Sequence, residues 1–354
     1  MTEKMPRRVV HLKGGLRAVD DGSGKCFIQL HRKAVFGSFA TTEYPKLYSE
    51  LSSLGLTVFG CEFVSAGSYQ DLYPPDWEVA SPRDGFRILN ERNQWNNIRS
   101  AKTKAGDFDT ADLAARTSTY LQLLSVRLLH LSEAYNKMLN CWAQNQNRQT
   151  GDLIDNPYMT YVDAAVHGFV ADAASFRDLI AESIWRLVLL QQADVTTLAS
   201  FIKKAKNMSN PLAISICNDA KDGAWLHAFT QLRNNIIHVA PMGGRASEHM
   251  CIVRNLPLGS GQIPFLHYPL LEPDESMNHS PKIDLSTDES FKIGLMSYRD
   301  FCIRSIDGLD YAWNITSKLV ELQSEARKQA GLSAGFPHLN DDDIVGEVIW
   351  RPHG

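Results

Sequence analysis

The sequence predicts a mainly α-helical protein: an antiparallel helical bundle, preceded by a small mixed α/β region and interrupted by a short β-hairpin. Three observations lead to this prediction. After residue 105 the chain repeats apolar residues at helical spacing over long stretches. The first 105 residues contain β-favouring segments instead. Between residues 243 and 273, glycine, proline and β-favouring residues replace the helical pattern, and this change predicts the hairpin.

The overall composition is that of an ordinary soluble globular protein. The 354 residues are 44% hydrophobic and 21% charged, which allows a large core. The net charge of −4 creates no general basic field, so any nucleic-acid site must be local. The first 13 residues hold no apolar signal core and no apolar run approaches a membrane span, so we expect a cytoplasmic protein without membrane contact. The six scattered cysteines predict neither a metal site nor a disulfide framework, and no cofactor is indicated.

The mixed N-terminal region is predicted to span residues 1–105. Residues 26–39 and 56–64 are rich in β-favouring side chains, and residues 42–54 could form a short helix between them. Residues 67–82, rich in proline and aromatic side chains, are predicted to form an ordered loop with a turn at Pro74 and Pro75. We therefore expect two β segments around one helix.

The bundle is predicted to span residues 106–330, and residues 331–354 are interpreted as a tail. Its helices are indicated by the spacing of their apolar residues. They are predicted at residues 110–144, 156–192, 196–206, 219–240 and 290–329. The hairpin is expected near residues 249–268, before the last helix. Connections this short favour antiparallel packing of successive helices.

The helix that ends near Pro241 carries the sharpest chemical suggestion in the chain. Its apolar face consists of Trp225, Phe229, Leu232, Ile236 and Val239. A second face is polar and consists of His227, Gln231, Asn234 and His238. Pro241 is expected to end the helix, because its ring cannot continue the backbone hydrogen bonding.

Arg233 and His238 are the two groups of this helix that could act on a phosphodiester. They are five residues apart, and five residues turn an ideal helix by roughly 140°, so their Cα–Cβ bonds diverge. The long arginine could still bring its guanidinium toward the imidazole, particularly where the last turn is loosened before the proline. An imidazole that titrates near neutrality and a fixed cation could then act together.

The six residues from Arg233 to His238, RNNIIH, resemble the motif of HEPN domains: an arginine, a polar residue, three variable residues and a histidine. Their setting is also similar, because HEPN domains carry the motif on a late helix of an all-α bundle. The resemblance extends over residues 109–329 in organisation, but only over these six residues in specific motif.

The resemblance implies a metal-independent endoribonuclease, acting in antiphage defence or in a toxin–antitoxin system, with a homodimer that brings two motif helices together. RNA would be the substrate, and an antitoxin or defence-system protein could be a partner. Arg233, Asn234 and His238 would be the catalytic residues. His238 could exchange protons with the 2′-hydroxyl or the leaving 5′-oxygen, and Arg233 could stabilise charge on the phosphorus. Asn234, one turn from His238, could orient the imidazole or the phosphate.

Other interpretations stay open for each of these residues. Arg233 could pair with Asp219 or another acid, and His238 could simply favour the carbonyl end of its helix. His227 is interpreted as an ordinary, partly buried histidine. Lys203, Lys204 and Lys206 are either surface charge or contacts to the RNA backbone.

Alternatives also stay open for a second helix and for the function as a whole. The predicted helix at residues 156–192 is expected to have a solvated or interhelical polar face, and one residue of this face could support the site. The face consists of His167, Asp172, Asp178 and Glu182. The alternative function is a non-catalytic helical module of the HEPN type that binds nucleic acid, a nucleotide or a partner protein.

Overall fold

The computed structural model describes residues 8–20, 25–30, 34–40, 44–64, 74–80, 87–145, 149–192, 194–239, 250–258, 261–270, 284 and 286–333. Over these residues the chain is mainly α-helical, as the sequence predicts. The side chains of residues 34–37, 39, 40, 44, 45, 238 and 239 are outside this description. The predicted tail is outside it from residue 334 onward.

The described residues between 8 and 80 form an antiparallel six-stranded sheet and one α-helix. Its strands are β1 (Arg8–Leu12), β2 (Arg17–Asp20), β3 (Lys25–Leu30), β4 (Ala34–Ala40), β5 (Val58–Phe63) and β6 (Asp76–Val79), in the order β4-β3-β2-β1-β5-β6. Helix α1 (Tyr44–Ser53) precedes β5. The two predicted β segments and the helix between them are confirmed. The loop prediction for residues 67–82 is wrong at β6, a short edge strand that pairs with β5; residues 67–73, 81 and 82 lie outside the described residues.

Eight helices follow among the described residues. They are α2 (Arg87–Lys104), α3 (Phe108–Ala143), α4 (Met159–Ser183), α5 (Leu198–Ala205), α6 (Pro211–Asp219), α7 (Trp225–Asn234), α8 (Asp288–Arg304) and α9 (Gly308–Gln329). The two long predicted helices are confirmed as α3 and α4. A π-helical turn continues α4 over Ile184–Val188, and another continues α7 over Asn235–Val239.

Two helices, α2 and α6, were not predicted from the sequence, and two helix predictions need correction. Residues 219–240 do not form one helix, because α6 ends at Asp219 and α7 begins only at Trp225. Residues 290–329 do not either: the two-residue strand β11 (Ile306–Asp307) separates α8 from α9. The Asp307 carboxylate accepts hydrogen bonds from the backbone N–H groups of Leu309 (2.9 Å) and Asp310 (3.1 Å), so it caps a new helix at this point.

The predicted hairpin is confirmed. Strands β8 (Cys251–Leu258) and β9 (Gly261–His267) pair antiparallel, and β7 (Leu153–Ile154) joins the other edge of β8. The short strand β10 (Pro269–Leu270) follows β9 and pairs with β11. The hairpin therefore also fixes the junction between α8 and α9.

The sheet and the helices share one core. Buried apolar side chains form a continuous cluster that includes Leu12 and Phe59 of the sheet and Leu128, Phe176 and Leu319 of the helices. Helices α2 and α3 lie on either side of the predicted boundary at residue 105, and the Ser118 hydroxyl donates to Asn96 Oδ1 across them (2.7 Å). Ion pairs of Arg116 with Glu182 and of Arg127 with Asp172 connect α3 to α4, and their order shows that the two helices are antiparallel.

The turn after α4 contains a strained residue. Leu190 has φ 53°, in the left-handed region that glycine usually occupies at a helix end, and its side chain is 81% exposed. We expect Leu190→Gly to raise the free energy of unfolding by about 1 kcal/mol, because it relieves this strain without removing a buried contact. Urea denaturation would measure the gain. Leu190→Ala keeps the strain and is the control; a glycine variant no more stable than the alanine variant would contradict the explanation.

A buried histidine connects the sheet to α3. His11 is fully buried, with Nδ1 2.9 Å from the Ser132 hydroxyl and Nε2 in contact with the Glu62 carboxylate, which also accepts from Arg17 (3.1 Å). Burial lowers the pKa of His11 from 6.5 to about 4, although the hydrogen bond to Glu62 acts in the opposite direction. The native state therefore holds this imidazole neutral near neutral pH.

This shift has a direct consequence for acid stability. Because the folded pKa of His11 lies below its unfolded value, its contribution to stability is present above pH 6.5 and is lost as the pH falls toward 4. We expect this loss to amount to about 3 kcal/mol. Denaturation curves recorded between pH 6.5 and 4 give the free energy of unfolding at each pH. This free energy should fall more steeply with decreasing pH in the wild type than in His11→Gln. Equal slopes for the two proteins would show that His11 does not drive the acid sensitivity.

Candidate functional site

Helix α7 packs its apolar face into the core. Phe229, Leu232 and Ile236 of the predicted stripe are buried, and so is Leu226, which the prediction did not include. Trp225 is only partly buried, and Lys318 Nζ lies 5.1 Å from the centre of its ring. The remaining predicted core residue, Val239, has a side chain outside the described part of the structure.

The polar face of α7 is partly exposed and internally connected. The Gln231 amide nitrogen lies 3.1 Å from His227 Nε2, and Asp222 Oδ1 lies 3.3 Å from the same nitrogen. His227 is thus partly buried and engaged by neighbours on and before its own helix, as expected for an ordinary histidine.

The structure brings Arg233 and Asn234 together. The Arg233 guanidinium donates through Nη1 to Asn234 Oδ1 at 3.2 Å, and both residues are half-buried. Arg233 follows the buried Leu226 by seven residues, which is about two helical turns. Its backbone position therefore lies on the same, packed side of α7 as Leu226. Its guanidinium then turns toward the polar side to reach Asn234.

His238 lies in the π-helical turn Asn235–Val239, and its side chain is outside the described residues, as is Pro241. A π-helical turn is closed by i→i+5 rather than i→i+4 hydrogen bonds. It therefore holds more residues per turn, and a separation of five residues comes closer to a full turn. We therefore expect the backbone positions of Arg233 and His238 to diverge less than in an ideal α-helix; a looser last turn is the condition that the sequence analysis named for their approach.

The predicted RNA-contacting lysines lie at the end of α5. Lys203, Lys204 and Lys206 are all exposed. Lys204 forms an ion pair with Asp194, and its Nζ lies 5.8 Å from the centre of the Trp185 ring. Lys204 is therefore already engaged within the chain, which leaves Lys203 and Lys206 as the stronger candidates for contact with a ligand.

The acidic residues of α4 are interhelical, which is one of the two alternatives the sequence left open. Glu182 accepts two hydrogen bonds from Arg116 of α3, both at 2.9 Å, and these bonds lower the pKa of the Glu182 carboxyl. Asp172 accepts from Arg127 Nε at 2.6 Å. Asp178 accepts from the backbone N–H of Leu198 at 3.0 Å and so joins α4 to the start of α5.

One residue that contacts the motif helix was missed from the sequence. Arg177 of α4 is 8% exposed and donates through Nη1 to the Thr230 hydroxyl on α7 at 3.0 Å. The sequence did contain a signal, because Arg177 stands at helical spacing between the buried residues Ala173 and Ile180. A charged residue in an apolar stripe indicates a buried polar partner.

No group of three histidine, cysteine or acidic side chains in the described part of the chain is arranged to hold a metal ion. No helix in the described ranges is both long and apolar enough to span a bilayer. In comparisons with known proteins, no family model, curated protein or solved structure matches this chain.

Proposed function

We propose that this protein is a metal-independent endoribonuclease of the HEPN type, with Arg233, Asn234 and His238 as its catalytic residues. The observation that supports this most is the backbone of the motif itself. A π-helical turn begins directly after Asn234 and includes His238, and such turns are frequent at functional sites. It reduces the divergence between the arginine and histidine positions that an α-helix would impose.

The proposed reaction uses the nucleophile that RNA carries. The 2′-hydroxyl oxygen attacks the neighbouring phosphorus, and the bond from phosphorus to the 5′-oxygen breaks. One general base removes the 2′ proton and one general acid protonates the leaving oxygen, and His238 can serve in either role. The guanidinium of Arg233, oriented by its 3.2 Å hydrogen bond to Asn234, stabilises the charge that develops on the phosphoryl oxygens.

Metal-free cleavage tests this proposal. Purified protein in EDTA should cut RNA and leave 2′,3′-cyclic phosphate or 3′-phosphate ends together with 5′-hydroxyl ends. These ends follow from attack by the 2′-hydroxyl and can be identified by mass spectrometry. Cleavage that requires added Mg²⁺, or that leaves 3′-hydroxyl ends, would contradict the mechanism.

The proposal includes a homodimer whose two-fold axis passes near Asn234 and His238. One copy of the motif supplies one imidazole, whereas transesterification needs a base and an acid on opposite sides of the phosphorus. A two-fold axis places the same surface of each subunit against its copy and would supply the second His238. Light scattering should give twice the monomer mass of 39.6 kDa. An active ribonuclease that remains monomeric would contradict this arrangement.

The wider setting belongs to the same proposal. We infer a cytoplasmic enzyme of antiphage defence or of a toxin–antitoxin system, restrained by a partner protein and with a HEPN-like arrangement of helices. Lys203 and Lys206, exposed at the end of α5, would contact the RNA backbone. The cleavage assay does not depend on this setting.

A second candidate is a non-catalytic module with the same architecture. Arg233 is half-buried, and its backbone position lies on the packed side of α7. Both features suit a structural arginine and so favour this alternative. Such a module would bind RNA, a nucleotide or a partner protein without cutting RNA in EDTA. Binding of labelled RNA without loss of its length would therefore identify it.

A further inference from the structure

Arg177 occupies an unusual position for an arginine. It lies on the buried face of α4 and is 8% exposed. Its Nε and Nη2 groups donate to Asp178 Oδ1 at 3.1 and 2.9 Å, and its Nη1 group donates to the Thr230 hydroxyl at 3.0 Å. The guanidinium carbon also lies 5.9 Å from the centre of the Phe229 ring. Two of these contacts, to Phe229 and Thr230, are with the motif helix α7.

Burial of a charged group is unfavourable unless the charge is paired and hydrogen-bonded. Asp178 pairs the charge of Arg177 and is itself held by the backbone N–H of Leu198 at 3.0 Å. This chain of contacts connects α4, the start of α5 and α7. Because the arginine fork is planar, it can satisfy Asp178 and Thr230 together only in a narrow range of orientations.

Thr230 is the point at which this restraint reaches the motif. It precedes Arg233 by three residues and Asn234 by four, so all three side chains lie on neighbouring positions of one helical surface. The Thr230 hydroxyl also donates to the Leu226 carbonyl at 2.7 Å, which fixes its own rotamer. A change in the Arg177–Thr230 contact would rotate or shift the turn that carries Arg233 and Asn234.

We propose that Arg177 is a positioning residue: by holding Thr230 it fixes the rotation of α7 against α4, and with it the direction from which Arg233 and Asn234 meet the substrate. Its effect on catalysis rests on the proposed ribonuclease function, but its effect on the motif helix does not. Arg177 is buried, so it acts through Thr230 and not by touching RNA.

The expected kinetic effect is on kcat. A small misplacement of catalytic groups lowers the rate by on the order of 10²-fold. Arg177→Met, which keeps the apolar stem and removes all three hydrogen bonds, should lower kcat by about this factor and leave KM nearly unchanged. Arg177→Lys should recover part of the loss, because a lysine can donate to Thr230 but cannot reproduce the fork.

Thr230 provides a milder test that leaves Arg177 and Asp178 in place. Thr230→Val keeps the shape of the side chain and removes the acceptor, whereas Thr230→Ser keeps the hydroxyl. The valine variant should lose kcat and the serine variant should not. The double variant Arg177→Met/Thr230→Val should be no slower than Arg177→Met alone, because both changes remove the same contact.

Arg127→Met is the matched control. Arg127 also donates to an aspartate of α4, Asp172, at 2.6 Å, but it extends from α3. Its removal weakens an interhelical ion pair without disturbing the Arg177–Thr230 contact, so kcat per folded molecule should stay at the wild-type value. Amide hydrogen exchange is measured on the same proteins. Residues 225–239 should exchange at least several-fold faster in Arg177→Met and Thr230→Val than in the wild type or Arg127→Met.

The two readouts separate the two proposals. If the wild type does not cleave RNA in EDTA, the ribonuclease function fails, and exchange over residues 225–239 alone decides whether Arg177 positions the helix. If Arg177→Met and Thr230→Val both exchange like the wild type, the positioning role is overturned. It is equally overturned if the wild type cleaves RNA and both variants keep its kcat.

Discussion

His238→Ala and Arg233→Ala should each lower RNA cleavage by a factor of about 10²–10⁴, the usual effect of losing one general acid–base group or one donor to a developing anion. Arg233 is half-buried near the end of α7, so its truncation should leave the packed core intact, and His238 lies in the π-helical turn that follows. The rate should be measured in EDTA with RNA of defined sequence. Circular dichroism and thermal unfolding should show that both variants remain folded.

His227→Ala is the matched control for this experiment. His227 lies on the same helix, is partly exposed and is a histidine, but it is engaged by Gln231 and Asp222 rather than by the motif. Its removal should leave the cleavage rate within a small factor of the wild type. Equal cleavage by the wild type and by both motif variants would remove Arg233 and His238 from the site.

Gly15→Ala should lower the free energy of unfolding by about 2–5 kcal/mol. Gly15 lies in the tight turn between β1 and β2, with φ 82°. An added Cβ would lie 2.7 Å from the Tyr135 carbonyl carbon and 2.8 Å from the Asn136 backbone nitrogen. These are backbone atoms of α3 and cannot rotate away. The same turn is held by the Asn136 side chain, which donates to the Gly15 carbonyl at 2.7 Å.

Gly106→Ala is the control that measures backbone strain alone, without a steric clash of the added Cβ. Gly106 has nearly the same backbone angle, φ 78°, but no atom lies within 4 Å of an added Cβ. Its substitution should therefore cost only about 1 kcal/mol, the penalty of the left-handed conformation. Urea denaturation of both variants measures the difference. The distances indicate that the Gly15 turn packs closely against the backbone of α3. Equal losses of unfolding free energy in the two variants would contradict this close packing.

Elements with a strong repeat could be predicted from the sequence. Helices α3 and α4 present apolar residues at helical spacing over many turns, and the hairpin residues separate β-favouring runs by a turn. Strands β1, β2 and β6 have four or five residues each, so they contain too little repeat to be recognised. Their stability comes from partners elsewhere in the chain, as in the pairing of β1 with β5.

The break between α8 and α9 also could not be predicted from the sequence, because it too depends on a distant part of the chain. The apolar spacing continues through Ser305 and Ile306, so the sequence favours one helix. In the structure, Asp307 accepts a hydrogen bond from the backbone N–H of Tyr268 at 3.1 Å, and β10 pairs with β11. These hydrogen bonds replace those of a continuous helix at Ile306 and Asp307. They can form only after segments that are distant in the sequence have come together.

The sequence by itself determined that the chain is mainly α-helical, that a hairpin interrupts the helices, and that Arg233, Asn234 and His238 share one segment before a proline. Local spacing suffices for these conclusions, because each depends on residues within a few turns of one another. Only the tertiary structure decided that the backbone position of Arg233 lies on the packed side of α7 and that Arg177 holds Thr230. Both depend on which faces of α4 and α7 meet, and no spacing within either helix specifies its partner.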